Sequence, residues 1–468
     1  MALDDIHFQP LTKVAKHIEN RDISPVEVTE AILSRIEKYD QGLHAYTTVT
    51  ADVAMTQAKK AEVEIMKGIY RGVMHGIPIA VKDLCFTKGI TTTGGMSIYR
   101  DFKPDHDATV VTKLADAGSV LLGKLHMTEG AMLEHHPEFP EPVNPWKKDL
   151  WTGVSSSGSG VSTAAGMTYA AIGSDTGGSI RFPSACNGLT GVKPTWGLIS
   201  RYGIFDLAAT FDHLGPMARS AADAAAMLQT LAGWDPRDTT SLSTPVPDYL
   251  GALDGGVWGA RGVKVGLDWS YIADDADPVT VGFVKDAVAV LEEIGALTTP
   301  VTFPDQANLL KMNMAATMAE TAAHHDKTYP SQADKYGPSV KAMIEMGRAA
   351  SPVDIGHGII ERRKFRGAVI RMFDDIDVFV MPVFKYGTPT WSEMRAQVAE
   401  SFDKIGKFTS PFNATGTPTV TLPVGYTEDG RPVAMQLAGA PGSEALLLKV
   451  AHAYQMATDW HTRRPPGF

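Results

Sequence analysis

Residues 173–191 read GSDTGGSIRFPSACNGLTG, with Ser179 at the centre of the run. A serine hydroxyl attacks an acyl carbon only when a base takes its proton and a nest of donors receives the oxyanion it creates. Thr176, Gly177, Gly178 and Ser179 supply backbone N–H groups for such a nest, because two glycines in a row let the chain turn where a Cβ would block it. The same residue types also make ordinary turns, so the stretch alone leaves both readings open. It does not fit a phosphate-cradling loop: no Gly-x-x-x-x-Gly-Lys-Ser/Thr string occurs, and Gly177-Gly178-Ser179-Ile180-Arg181 lacks the dinucleotide spacing. Nor does the run contain an obvious base.

Two other segments change that balance. Gly76-Ile77-Pro78-Ile79-Ala80-Val81-Lys82-Asp83 puts a lysine at the end of an apolar run that reads as a buried strand. Lys82 then snorkels to solvent, pairs with Asp83, or is held neutral by desolvation and accepts a proton. Downstream, residues 152–160 read TGVSSSGSG, five hydroxyl residues in nine. They lie between an Asn144-Pro145-Trp146 turn and a small-residue stretch from Ala164 to Ile172, the frame of a packed loop rather than a linker. Close packing of small hydroxyl residues would let one serine pass a proton between a lysine and a second serine.

Together these segments resemble the amidase signature family, in which a Gly-x-Pro-x-x-x-Lys-Asp element, a serine-rich loop and an Asp-x-Gly-Gly-Ser-x-Arg-x-Pro element follow in this order. Here they are Gly76 to Asp83, Ser155 to Ser159 and Asp175 to Pro183, with further similar text at Gly188–Thr195, Arg201–Gly203, Pro411–Pro418 and Val433–Gly439. The likeness covers most of the chain and is weakest between about Asp235 and Pro382. It implies a catalytic triad of Lys82, Ser155 in a cis peptide, and the nucleophile Ser179. Val154 and Ser157 stand where the family commonly has glycine, so three consecutive serines compete for the bridging place; Ser155 is chosen by its distance along the chain from Ser179. An oxyanion hole from the N–H groups of Thr176, Gly177, Gly178 and Ser179 follows, with no cofactor and no metal in any step. Asp175 and Arg181 read as a clamp on the loop or as substrate contacts, and Ser156 as loop support. By resemblance the pocket is lined from Lys124–Glu134, which includes Met127, from the Trp151 region, from Arg201–Phe205, which includes Tyr202, and from Met312, Met314, Met318 and Trp391, although a methionine stripe at helical spacing is more often plain core. These are largely apolar, so the expected substrate is a small amide, anilide or acyl hydrazide with an alkyl or aryl acyl group. The main alternative is the amidase component of a glutamine-dependent tRNA amidotransferase, which would release ammonia for partner subunits. An idle scaffold is disfavoured because all three triad positions hold competent residues.

The rest of the chain agrees. A net charge of −10, from 43 basic and 53 acidic residues, speaks against a nucleic-acid-binding face. Two cysteines, Cys85 and Cys186, are too few for a disulfide framework and fit a cytoplasmic protein. The acidic start is not a signal peptide, and no apolar run of about 18 residues suggests a membrane span. No partner beyond the substrate is required, and a homodimer is left open. Among the histidines, His135 and His136 with Glu134 and Glu138 lack a metal-ligand spacing, and no Gly-x-Ser-x-Gly elbow surrounds Ser179.

Secondary structure alternates. Ser24-Pro25-Val26-Glu27 is a capping box starting a helix to about Tyr39; Thr50–Lys67, Ser220–Leu231 and Pro278–Ile294 are also helical. Strands are expected at Ile77–Val81, Val120–Leu122, Val263–Leu267, Val378–Met381, Thr419–Leu422 and Val433–Leu437. Such alternation implies an α/β fold. The resemblance sharpens it to a single large domain over 1–468, a mixed, mostly parallel sheet covered by helices on both faces, with 1–70 a helical N-terminal segment packed on it. Gly251–Arg261, rich in glycine, is a boundary candidate or a simple connection.

Overall fold

The computed structural model describes residues 3–468. Its frame is one eleven-stranded sheet flanked by helices. The strands are β1 (Tyr46–Val49), β2 (Pro78–Lys82), β3 (Val120–Leu125), β4 (Ala170–Asp175), β5 (Thr190–Lys193), β6 (His213–Ala218), β7 (Lys264–Leu267), β8 (Leu297–Pro300), β9 (Val378–Pro382), β10 (Thr419–Tyr426) and β11 (Pro432–Ala438). Their spatial order is β1-β3-β2-β4-β6-β5-β10-β11-β9-β7-β8.

All six strands expected from apolar runs are present, and the sheet is mixed, but it is not mostly parallel. Only β2–β3, β2–β4, β7–β8 and β7–β9 run parallel. The centre, β4-β6-β5-β10-β11-β9, is antiparallel throughout. The tight turn from Thr427 to Gly430, closed by Gly430 N–H donating to Thr427 O, joins β10 and β11 as a hairpin, a connection that parallel strands cannot use. Helical crossovers therefore serve the two outer parts of the sheet. β4 and β6 escape a pattern search because they carry Gly173, Ser174, Gly215 and Pro216 in place of β-branched residues.

The N-terminal segment is helical except for β1, which pairs at the sheet edge with β3. Ser24 does form the capping box, with its Oγ accepting from Val26 N and Glu27 accepting from Ser24 N, and the helix runs Pro25–Leu43, a turn beyond the expected end. Thr12 N donates to Asp223, and Arg35 Nε donates to Ala165 O, tying the segment to the body. Gly251–Arg261 is no boundary; two short 3₁₀ turns pack there, with Gly259 against Lys449 and Ala453 of the last long helix. No helix among the described residues is long and apolar enough to cross a membrane.

Candidate active site

β2 and β4 are adjacent and parallel, and β4 runs directly into Thr176 and Gly177, which line a cavity. Lys82 is the last residue of β2 and is fully buried. It does not pair with Asp83, whose carboxylate instead accepts from Thr93 N and Oγ1. Its Nζ lies 2.7 Å from Ser155 Oγ, 2.8 Å from Ser174 Oγ and 2.9 Å from Ser156 Oγ. Burial lowers its pKa to about 7, against weaker opposing pulls from Cys85, Asp175 and Asp212.

The three hydroxyls are not equivalent. Ser156 Oγ donates to Ser174 O and accepts from Ser174 N, so its proton is committed to the backbone of β4. Ser155 Oγ and Ser174 Oγ have no further hydrogen bond among the described residues. The Val154–Ser155 peptide is cis, the place the resemblance implies. Ser174 had no motif to flag it; its signal was a hydroxyl on a strand next to a strand ending in lysine. Close approach shapes the loop: a Cβ on Gly153, at φ +74°, would stand 2.5 Å from Pro183 N in the helix that follows Ser179.

Ser179 lines the cavity together with Val154, Thr176 and Gly177, and its Oγ makes no hydrogen bond among the described residues. Of the four donors expected for an oxyanion hole, Gly178 is already engaged: its N–H donates to Asp175 Oδ1 at 2.8 Å. The N–H groups of Thr176, Gly177 and Ser179 donate to nothing among the described residues. Gly178 instead serves the turn, with φ +143° and no room for a Cβ beside the Phe182 ring. Thr409 Oγ1 donates to Gly177 O at 2.6 Å, which fixes that peptide's orientation.

Asp175 and Arg181 form the clamp. Arg181 is fully buried; its Nη2 donates to Asp175 Oδ1 at 2.8 Å and its Nε to Oδ2 at 3.0 Å, with Thr409 O and Asn413 Oδ1 taking further N–H groups. Burial alone would raise the Asp175 pKa, but the guanidinium and its hydrogen bonds outweigh this and hold the carboxyl well below the usual range. Arg181 therefore has no face turned to a substrate. Asp212, unmarked in the sequence reading, is buried behind the loop; it accepts from Thr176 Oγ1 at 2.5 Å and from Leu207 N at 2.8 Å, and burial raises its pKa to about 7.

The cavity holds about 170 Å³. Ala131, Met132, Leu133, Phe182, Leu207, Phe211, Met314, Met318 and Met343 give it apolar walls, and no charged side chain lines it among the described residues. Met314 and Met318 thus line the cavity rather than the plain core that a methionine stripe usually fills, while Met312 falls outside the described side chains. Met127, Trp151 and Tyr202 are not in the lining. Met127 is core. Trp151 sits behind the wall, its ring 5.9 Å from that of Phe182. Tyr202 lies under the Arg237 guanidinium, 4.6 Å from it. Position along the chain does not fix side-chain direction, so these three could not be separated from true wall residues by resemblance. His135 and His136 are buried, with His135 Nε2 3.0 Å from Ser157 Oγ, and no cluster of metal-ligating side chains occurs among the described residues.

The Amidase family profile matches residues 27–448. AmiD of Mycobacterium tuberculosis, a protein of the amidase class, is 44% identical over 465 residues, covering 99% of this chain and 97% of its own. A glutamyl-tRNA(Gln) amidotransferase component from Methylococcus capsulatus is 35% identical over 493 residues, 99% of each chain. Among solved structures, 6-aminohexanoate cyclic dimer hydrolase superposes with a TM-score of 0.89 at 26% identity, over 98% of this chain and 99% of that one. The molecule is thus a hydrolase of carbon–nitrogen bonds in amides. It belongs to the Amidase family.

Proposed function

We propose that the chain is a stand-alone amidase acting on small neutral amides, anilides or acyl hydrazides through Ser179, Ser155 and Lys82. The observation that carries this reading is Lys82 itself, a buried lysine with a pKa near 7 whose nearest partners are hydroxyls. A hydroxyl can reverse its role and donate to a neutral amine, which a carbonyl cannot. Neutral Lys82 takes the proton of Ser155, Ser155 takes that of Ser179, and Ser179 Oγ bonds to the acyl carbon as the carbonyl π pair moves to oxygen. The N–H groups of Thr176, Gly177 and Ser179 receive that oxyanion. The relay run backwards protonates the leaving nitrogen as its bond to carbon breaks. Water, deprotonated along the same path, then releases the acid and frees Ser179.

The uncharged cavity supports a neutral acyl group. Its volume is of the order of the roughly 150 Å³ cavity that holds a benzene ring. The amidotransferase relative favours a second reading, glutamine hydrolysis for partner subunits. Glutamine carries an α-ammonium and an α-carboxylate, and the described lining offers neither a countercharge. A screen of primary amides, p-nitroanilides, hydrazides and glutamine on the purified chain separates the two. Turnover of apolar amides by the chain alone is expected; activity confined to glutamine, and only with added subunits and ATP, would replace the first reading by the second.

A further inference from the structure

Away from the nucleophile loop the cavity wall holds few polar side chains, and one of them is unsatisfied. Asn313 lies on the helix Ala307–His324, and its Oδ1 is buried with no hydrogen-bond partner among the described residues. Thr317 follows at i+4, on the same helical face, and its hydroxyl makes no hydrogen bond among the described residues either. Ser410, the other hydroxyl in the wall, is taken up by Gly177 O at 3.4 Å. Met314 and Met318 flank the Asn313–Thr317 pair, and Met343 faces the same space from the helix Pro338–Ala349. A buried acceptor left unmade is costly, and in a binding cavity the group that completes it is a ligand's.

We infer that Asn313, with Thr317, forms a recognition subsite for an N–H or O–H donor on the acyl part of the substrate. This rests on the amidase reading above and narrows it. The substrate class becomes amides of apolar, uncharged acyl groups that carry one donor, such as a hydroxyaryl or aminoaryl chain, away from the scissile carbonyl. Met314 and Met318, unbranched and adaptable, fit the ring or chain between the two ends. Asn313 acts on specificity, not on the proton relay.

The test uses the purified chain and five arylacetamides, one with an unsubstituted ring and four with hydroxyl or methoxy at the meta or the para position, each with a leaving amine that the screen above shows to be accepted. The methylene insulates the carbonyl from the ring substituent, and methoxy matches the hydroxyl in position while removing its donor. At one ring position the wild type should favour hydroxyl over methoxy by about tenfold or more in kcat/KM, the effect of one buried hydrogen bond. That preference should collapse to about one in Asn313→Leu and return in part in Asn313→Gln, while the pH profile stays in place. No hydroxyl preference at either position, or one that survives in Asn313→Leu, would overturn the inference and leave the amidase reading standing. No turnover of any apolar amide would overturn the amidase reading and the subsite with it.

Discussion

Three lysines are fully buried among the described residues, and their surroundings sort them. Lys193, at the end of β5, donates to Thr417 O at 2.6 Å and Pro194 O at 3.1 Å. Lys124, in β3, donates to Cys85 O and Thr92 Oγ1 and lies 3.4 Å from Asp83. Lys82 has only the hydroxyls of Ser155, Ser156 and Ser174. All three have pKa values lowered first by burial. A carbonyl accepts and never donates, so even a neutral Lys193, with an N–H for each carbonyl, faces no proton that it could take. A hydroxyl cage passes a proton in either direction. Burial alone therefore does not make a base; the partners do.

The largest loss of activity is expected at Ser179. Ser179→Ala should lower kcat by about 10⁴-fold or more, as removal of a nucleophile does elsewhere, with the thermal transition unmoved. Lys82→Met should approach the same loss, whereas Lys193→Met should cost about 1–3 kcal/mol of stability, from two carbonyls left without a donor, and at most a few-fold in rate per folded molecule. Parallel turnover assays and denaturant titrations check the contrast. Equal kinetic damage from both lysine variants would erase the distinction drawn between their cages.

Ser155 and Ser156 sharpen it further. Ser155→Ala should fall by about 10²–10⁴-fold, the range of general acid–base help. Ser156→Ala should fall less, because the Ser156 proton is held by Ser174 O. Steady-state rates on one amide rank the pair; the reverse order would move the bridging role to Ser156.

The smallest effect is a shift along the pH axis. In the proposed relay neutral Lys82 is the working form, and its pKa is depressed to about 7, so kcat/KM should fall as pH drops below 7 and level off above it. Where it is ionised, the Asp212 carboxylate favours the charged lysine; its own pKa is also about 7, so Asp212→Asn should move this acid limb only slightly, and to lower pH. A limb that moves up, or that sits near the ordinary lysine value of about 10.4, would contradict the assignment.

Much of this was legible in the sequence, because the site is local text. Lys82, the serine loop and Ser179 each carry an unusual residue type in a small-residue frame, and the Ser24 capping box announces its helix. The sheet centre was less legible, since glycine, serine and proline interrupt the apolar residues of β4 (AAIGSD) and β6 (HLGPMA). The cavity wall was least so. Asn313, Met343 and Phe211 come from remote segments with no shared pattern, and only packing decides that they face the cavity while Trp151 and Tyr202 do not.

Ser179 is the group proposed to take the acyl chain from an amide, with Lys82 drawing its proton through Ser155. Trapping that acyl chain tests it most directly: a slowly turned-over acyl substrate, acid quench, and peptide mapping by mass spectrometry. The added acyl mass is predicted on the peptide at Ser179, to be absent in Ser179→Ala and to accumulate slowly in Lys82→Met. An adduct on Ser155 or Ser156, or undiminished turnover by Ser179→Ala, would contradict it.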